Sequence, residues 1–228
     1  MLISSYDRTI FLIKTVVKLV QATCGLSIRC FLAVLDLAPF PLRSHEVSED
    51  KLFAVMLGGN PAGTSVEIHD VVFAVGPDIE SIGGQLLKAW FAPGKAPHVD
   101  SWMILDMVDG ACISLDTDAA PDGALDLWHV NLGFYEAGKA SFVEGHENLF
   151  VIASTADEAK ARAKQLATRA GSAQLHTDAL HRVSDRLAAL GSPFRIRVTR
   201  TEAAGQPLAH DGYKPFAKDF LKANGFNA

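Results

Sequence analysis

The sequence predicts an α/β fold: two tandem β-β-α-β repeats packed as a two-layer sandwich about a pseudo-twofold axis. Three observations predict it. A set of short motifs recurs in the same order at near-constant spacing, which marks a duplicated unit. Each occurrence opens on apolar runs of strand length bounded by glycine. Each then passes into a stretch of helical periodicity.

The first strand is expected over Lys51–Leu57 and its counterpart over Asp126–Leu132, and both runs end in Leu-Gly (Leu57-Gly58; Leu132-Gly133). The second strand starts near Glu67 in one copy and near Glu144 in the other. Both starts read Glu-x-His-acid: Glu67-Ile68-His69-Asp70 and Glu144-Gly145-His146-Glu147. Val71 to Val75 is apolar at every position, the pattern of a strand covered on both faces, as a central strand is. A helix follows Pro77-Asp78 with Asp78 as N-cap and Ile79, Ile82, Leu86 and Trp90 as its inner stripe. In the second copy Thr155-x-x-Glu158 is a capping box. There Ala159, Ala163, Leu166 and Ala170 form the apolar face, and Glu158/Arg162 is an i, i+4 ion pair.

His98-Val99-Asp100 is answered by His176-Thr177-Asp178, and the separation from the preceding motif histidine differs by one residue between copies. After this the copies diverge. Trp102 to Leu115 reads as extended and broken at Asp109-Gly110, whereas His176 to Leu190 has helical spacing (Leu180, Val183, Leu187). A strand is expected over Phe194–Thr199 and a short amphipathic helix over Lys214–Ala223. The domain boundaries are therefore 1–50 for an apolar N-terminal extension, 51–118 for repeat 1, 124–202 for repeat 2, and 203–228 for the tail. A unit of roughly 75 residues is small for a core of its own, so the copies are expected to share a sheet or an interface.

Composition excludes several classes. The chain has 228 residues, a net charge of -5 and 49% hydrophobic residues, so it is neither a disordered chain nor a general nucleic-acid binder. Three scattered cysteines exclude a disulfide-stapled mini-domain and a Cys-rich zinc module. The extension is charge-neutral, so the whole deficit lies in residues 51–228. Lys14, Lys18 and Arg29 interrupt its apolar run, which disfavours a membrane span. Its readings are a start codon placed upstream of the true one near Val47, or an interfacial helix with Lys14, Lys18 and Gln21 as a polar stripe. The expected location is cytoplasmic. The expected partner is a small ligand or protein, a homodimer being compatible. No membrane partner is expected unless residues 1–46 are genuine.

The order Leu-Gly-Gly, Glu-x-His-Asp, Val-Phe-Ala-Val-Gly, helix, His-x-Asp resembles a bacterial family known as domain of unknown function 1543, whose members carry the unit once or in tandem. The resemblance covers about residues 51 to 200. The family pattern continues Val-Asp-Gly-aromatic, and Val108-Asp109-Gly110-Ala111 departs from it. No activity comes with the resemblance.

The repeated polar residues are the candidates for chemistry. Glu67 and His69 are two apart on a strand and share a face, as do Glu144 and His146. His98/Asp100 and His176/Asp178 are also two apart. Together, Glu67, His69, His98, Asp100, Glu144, His146, His176 and Asp178 suit a divalent first-row metal (Zn, Mn or Fe) held by imidazole and carboxylate. They equally suit a carboxylate-oriented histidine for proton transfer, with Glu67, His69, His98 and Asp100 as catalytic candidates, or a buried, satisfied hydrogen-bond pair. Two functions follow: ligand or partner binding through this constellation, or a metal-dependent or acid/base, hydrolase-like enzyme. The loop Gly58–Ser65 lacks the lysine of a phosphate loop, since Thr64 stands at that position, and a strand follows it. No Gly-x-Ser-x-Gly elbow occurs. Cys112 alternates with apolar residues and is expected in the core. Arg195, Arg197 and Arg200 are expected on a solvated strand face, and Trp90, Trp102 and Trp128 in the core or an interface.

Overall fold

The computed structural model describes residues 50–226, apart from 93–94, 119–123, 136–137, 139, 141, 169–173 and 203–206. The expectations for residues 1–49 lie outside the described residues. Among those described, no helix is long and apolar enough to cross a membrane.

The fold is mixed α/β, with antiparallel sheets and short helices. Strands β1 (Lys51–Gly59), β2 (Ile68–Gly76) and β3 (His98–Ile104) form one sheet, joined at its edge by β10 (Ala209–Pro215) in the order β10-β3-β1-β2. Strands β6 (Asp126–Phe134), β7 (Gly145–Ala153) and β8 (His176–Arg182) form a second in the order β7-β6-β8. A third sheet, β4-β5-β9, joins β4 (Met107–Val108) and β5 (Ala111–Asp116) to β9 (Arg195–Arg200).

Alternation decides what each strand face meets. Phe53, Val55 and Leu57 of β1 point to one side, where Ile82, Leu86 and Trp90 cover them. Leu86 belongs to helix α1 (Gly83–Ala89), and Ile82 and Trp90 flank it. Leu52 and Ala54 point to the other side and pack with Phe73, Leu127 and Ile152, which brings the first two sheets face to face. Trp128, Val130 and Leu132 on the outer side of β6 are covered by Ala159 and Ala163 of α2 (Ala156–Leu166). The small alanine side chains let α2 lie close to the sheet. Helix α3 (Val183–Ala189) closes the central core with Val183 and Leu187. A last helix, α4 (Lys218–Ala223), follows β10.

Several expectations are corrected. Val72 to Val75 are buried on both faces, but β2 is an edge strand: a helix covers one face and the second sheet the other. Residues 176–182 are a strand and not a helix, because pairing with β6 outweighs their helical spacing. Helix α1 starts at Gly83, later than Pro77-Asp78 suggested. Asp78 instead accepts from the Ser81 amide at 2.8 Å and closes the turn before it. Thr155 caps α2 as expected, but Glu158 reaches back to Ser154 (2.6 Å to its hydroxyl). Arg162 pairs with Asp109 (2.6 Å) instead of Glu158. Lys214 and Pro215 belong to β10 and not to a helix. Cys112 is exposed, because its face of β5 is turned to solvent. Arg197 pairs with Asp116 across the third sheet.

Candidate functional site

Both constellations are built by the same device. Gly58 of β1 lies directly opposite His69 of β2 and opposite His98 of β3. Opposed residues of an antiparallel ladder share a face, so the two imidazoles flank the glycine at strand spacing. A side chain there would occupy the space between them. A Cβ on Gly58 would lie 2.4 Å from Asp100 Oδ2 and 2.8 Å from His98 Nε2. Gly133 is opposite His146 and His176 in the same way, and its Cβ would lie 2.3 Å from Asp178 Oδ2 and 2.5 Å from His176 Nε2.

The aspartates arrive through bulges. The β1–β3 register passes from Met56↔Ser101 to Leu57↔Val99, which leaves Asp100 unpaired. The β6–β8 register passes from Asn131↔Ala179 to Leu132↔Thr177, which leaves Asp178 unpaired. A bulge bends its strand and re-aims a side chain. Here it carries the carboxylate over the glycine.

The contacts converge on imidazole nitrogens. In the first constellation His98 Nε2 is 3.1 Å from Glu67 Oε1 and 3.1 Å from Asp100 Oδ1, while His69 Nε2 is 3.2 Å from Asp100 Oδ2. In the second, His176 Nε2 is 2.9 Å from Glu144 Oε1 and 3.1 Å from Asp178 Oδ1. His146 Nε2 is 3.2 Å from Asp178 Oδ2 and 3.7 Å from Glu144 Oε2. All eight sequence candidates thus fall into two sets of four, none of them sealed in the core. One N–H cannot serve two carboxylates fully, and the buried Asp100 Oδ2 has the 3.2 Å contact with His69 Nε2 but no hydrogen bond among the described residues. Donors about 2.0–2.1 Å from a tetrahedral cation are about 3.3 Å apart, close to these separations. Among the described residues, Glu144, His176 and Asp178 of the second set offer one ligand atom each within 4.8 Å of one another, whereas the first set meets these separations only pair by pair.

A cleft of about 590 Å³ lies beside both sets and is lined by His69 and His146. Its wall carries a polar group that no repeated motif marks. His129 Nε2 lies 2.9 Å from Asn148 Oδ1, which also accepts from Asn131 Nδ2 at 2.8 Å. His129 is buried, and burial lowers its pKa to about 4. Its Nδ1 has no hydrogen-bond partner among the described residues. At the corresponding places of the first sheet stand the apolar Ala54, Met56 and Val71. The available signal was His129-x-Asn131, two polar residues on one face of a strand otherwise apolar.

Residues 64–115 match the model of the family described as Domain of Unknown Function (DUF1543). The matched segment holds Glu67, His69, His98 and Asp100, the whole of the first constellation, and it supports that domain family. Among solved structures, the crystal structure of a protein Il1583 from Idiomarina loihiensis is similar, with 25% identity and a TM-score of 0.51, covering 74% of this chain and 99% of that one. No curated protein matches the chain. The DUF1543 match thus names a domain and assigns it no reaction.

Proposed function

We propose that the chain binds two first-row divalent cations, one in each Glu-x-His/His-x-Asp set, and that residues 51–118 and 124–202 are copies of one duplicated unit. The observation that carries this reading is the convergence of two imidazole nitrogens and two carboxylates over a glycine, twice, at separations of 2.9–3.7 Å. Two carboxylates directed at one nitrogen repel each other unless positive charge lies between them. A cation supplies that charge and takes all four donors at once. Imidazole with carboxylate suits Zn, Mn or Fe.

The test is elemental analysis of the purified full chain, with thermal shifts measured over Zn, Mn, Fe, Ni and Mg. Two equivalents are expected, falling to one in His98→Ala and to one in His176→Ala. A chain that binds none of these metals and melts unchanged in all of them overturns the reading. A second reading, a metal-dependent hydrolase-like enzyme, is favoured by the cleft beside both sets. Chelator-sensitive turnover of p-nitrophenyl acetate or p-nitrophenyl phosphate would support it.

A further inference from the structure

The two constellations match in their donors and differ in their cover. His69 and His146 are similarly open, with side chains 48% and 44% exposed, the aspartates are alike, and Glu67 is somewhat more open than Glu144 (36% against 26%). His98 and His176 are not: 15% of one side chain is exposed and 48% of the other. The cause is β10. It pairs along the outer edge of β3, with Pro215 opposite His98, and the Tyr213 ring lies 4.4 Å from the His98 ring between centroids. Among the described residues β8, the strand of His176, ends its sheet with no such neighbour.

Tyr213 is placed there by a second irregularity. The β10–β3 register passes from Asp211↔Ser101 to Lys214↔Val99, so Gly212 and Tyr213 stand opposite the bulged Asp100. Gly212 has φ +127°, a conformation that L side chains rarely adopt. On either side the strand is pinned: His210 stacks on Trp102 at 5.2 Å, and Lys214 pairs with Glu80 and lies over the Trp102 ring.

We propose that β10 makes the two metal centres unequal: Tyr213 shields the His98 ligand and makes its centre the slower to exchange, and the His176 centre is the one that exchanges its metal faster and admits a small nitrogen- or oxygen-donor ligand. This rests on the two-cation reading. An accessible position is the mark of metal sites that accept substrate.

The experiment loads the full chain with Co²⁺, counts the bound metal by elemental analysis, and mixes it with excess EDTA while following Co²⁺ absorbance. Two phases of equal amplitude are expected, separated by about tenfold or more, a ratio within reach of an aromatic contact acting on a barrier. His176→Ala removes the fast phase and His98→Ala the slow one. Tyr213→Ala brings the slow phase to the fast rate with two metals still bound, and Tyr213→Phe keeps it slow. Gly212→Val, which misdirects Tyr213 without deleting it, behaves as Tyr213→Ala. Imidazole, added as the probe ligand before mixing, perturbs the spectrum of the His98→Ala protein and leaves that of His176→Ala unchanged. A single phase for two bound metals, a slow phase that belongs to His176, or a slow phase indifferent to Tyr213→Ala overturns the inference and leaves the two-cation reading standing. A chain that holds no Co²⁺ before mixing overturns both.

Discussion

Gly58 and Gly133 are the residues on which the site depends without contributing a ligand. Each leaves the gap into which a bulged aspartate and an imidazole reach. The atoms that a new Cβ would strike are the ends of side chains, which can swing away, and not backbone. Gly58→Ala is therefore expected to keep the far-UV circular dichroism of the parent while losing one metal equivalent, and Gly133→Ala to lose the other. Elemental analysis of the folded variants decides it. His129 gives a second prediction at this scale. Burial holds its folded pKa at about 4 against 6.5, so the unfolded chain binds a proton that the native chain does not. Stability from this group is full above pH 6.5 and falls as pH drops toward 4, by roughly 2 kcal/mol at pH 5. The difference in urea stability between the parent and His129→Phe should shrink by about that amount from pH 7 to pH 5, because the variant has no such proton to bind. The eight ligand candidates were legible in the sequence because the Glu-x-His and His-x-Asp motifs each occur twice. Gly58 and Gly133 were printed twice as well, but Leu-Gly at a strand end reads as a turn until the register sets it between two histidines. His129 and Asn131 were hidden because the first sheet carries Ala54 and Met56 at the corresponding places.

Helix α2 and the β4–β5 hairpin show what holds single elements in place. Thr155 Oγ1 accepts from the Glu158 amide at 3.2 Å, and the Glu158 carboxylate returns to Ser154. Removing this cap with Thr155→Ala should cost about 1 kcal/mol, read from the urea midpoint at unchanged slope. The hairpin is tied down by Asp109, which stands in the left-handed region at φ +48°. Its carboxylate accepts from the Ile152 amide at 3.2 Å and from Arg162, and its carbonyl accepts from Arg200 at 2.7 Å. Asp109→Ala would leave a part-buried strand amide and a guanidinium without their acceptor and keep the strained φ. It should cost about 2–3 kcal/mol, more than Arg162→Ala does, by the same urea titration. The Asp109-Gly110 break and the Thr155 cap were legible because turn and cap chemistry is local. The partner of Arg162 was not, since Glu158 sits at the favoured spacing on the same helix and Asp109 is 53 residues away. The helical spacing of 176–182 misleads for a related reason: the hydrogen bonds that make it a strand are on β6, outside any local window.

At the scale of the whole molecule the sequence showed the class of fold and the need for the two halves to lean on each other. It did not show how. The central core takes Leu52, Ala54 and Phe73 from one sheet, Leu127 and Ile152 from the other, and Val183 and Leu187 from α3. The third sheet goes further and interleaves the halves: β5 of the earlier segment is completed by β9 of the later one, in a register running from Ala111↔Arg200 to Asp116↔Arg195. Cutting the chain between residues 118 and 124 should therefore yield two fragments that unfold without cooperativity alone and regain a common transition when mixed. Calorimetry of the fragments separately and together checks this.

That pairing also sets a timetable for synthesis. β5, ending at Asp116, leaves the ribosome 84 residues before β9, ending at Arg200, completes it, a wait of roughly 4–17 s at ordinary elongation rates. Through that interval Ile113 and Leu115 lie on a strand bonded only to two-residue β4, with its other edge unpaired. The nascent chain thus carries an unpaired β5 edge while more than a third of its residues are added, and the last strands to emerge from the ribosome include the one that relieves it.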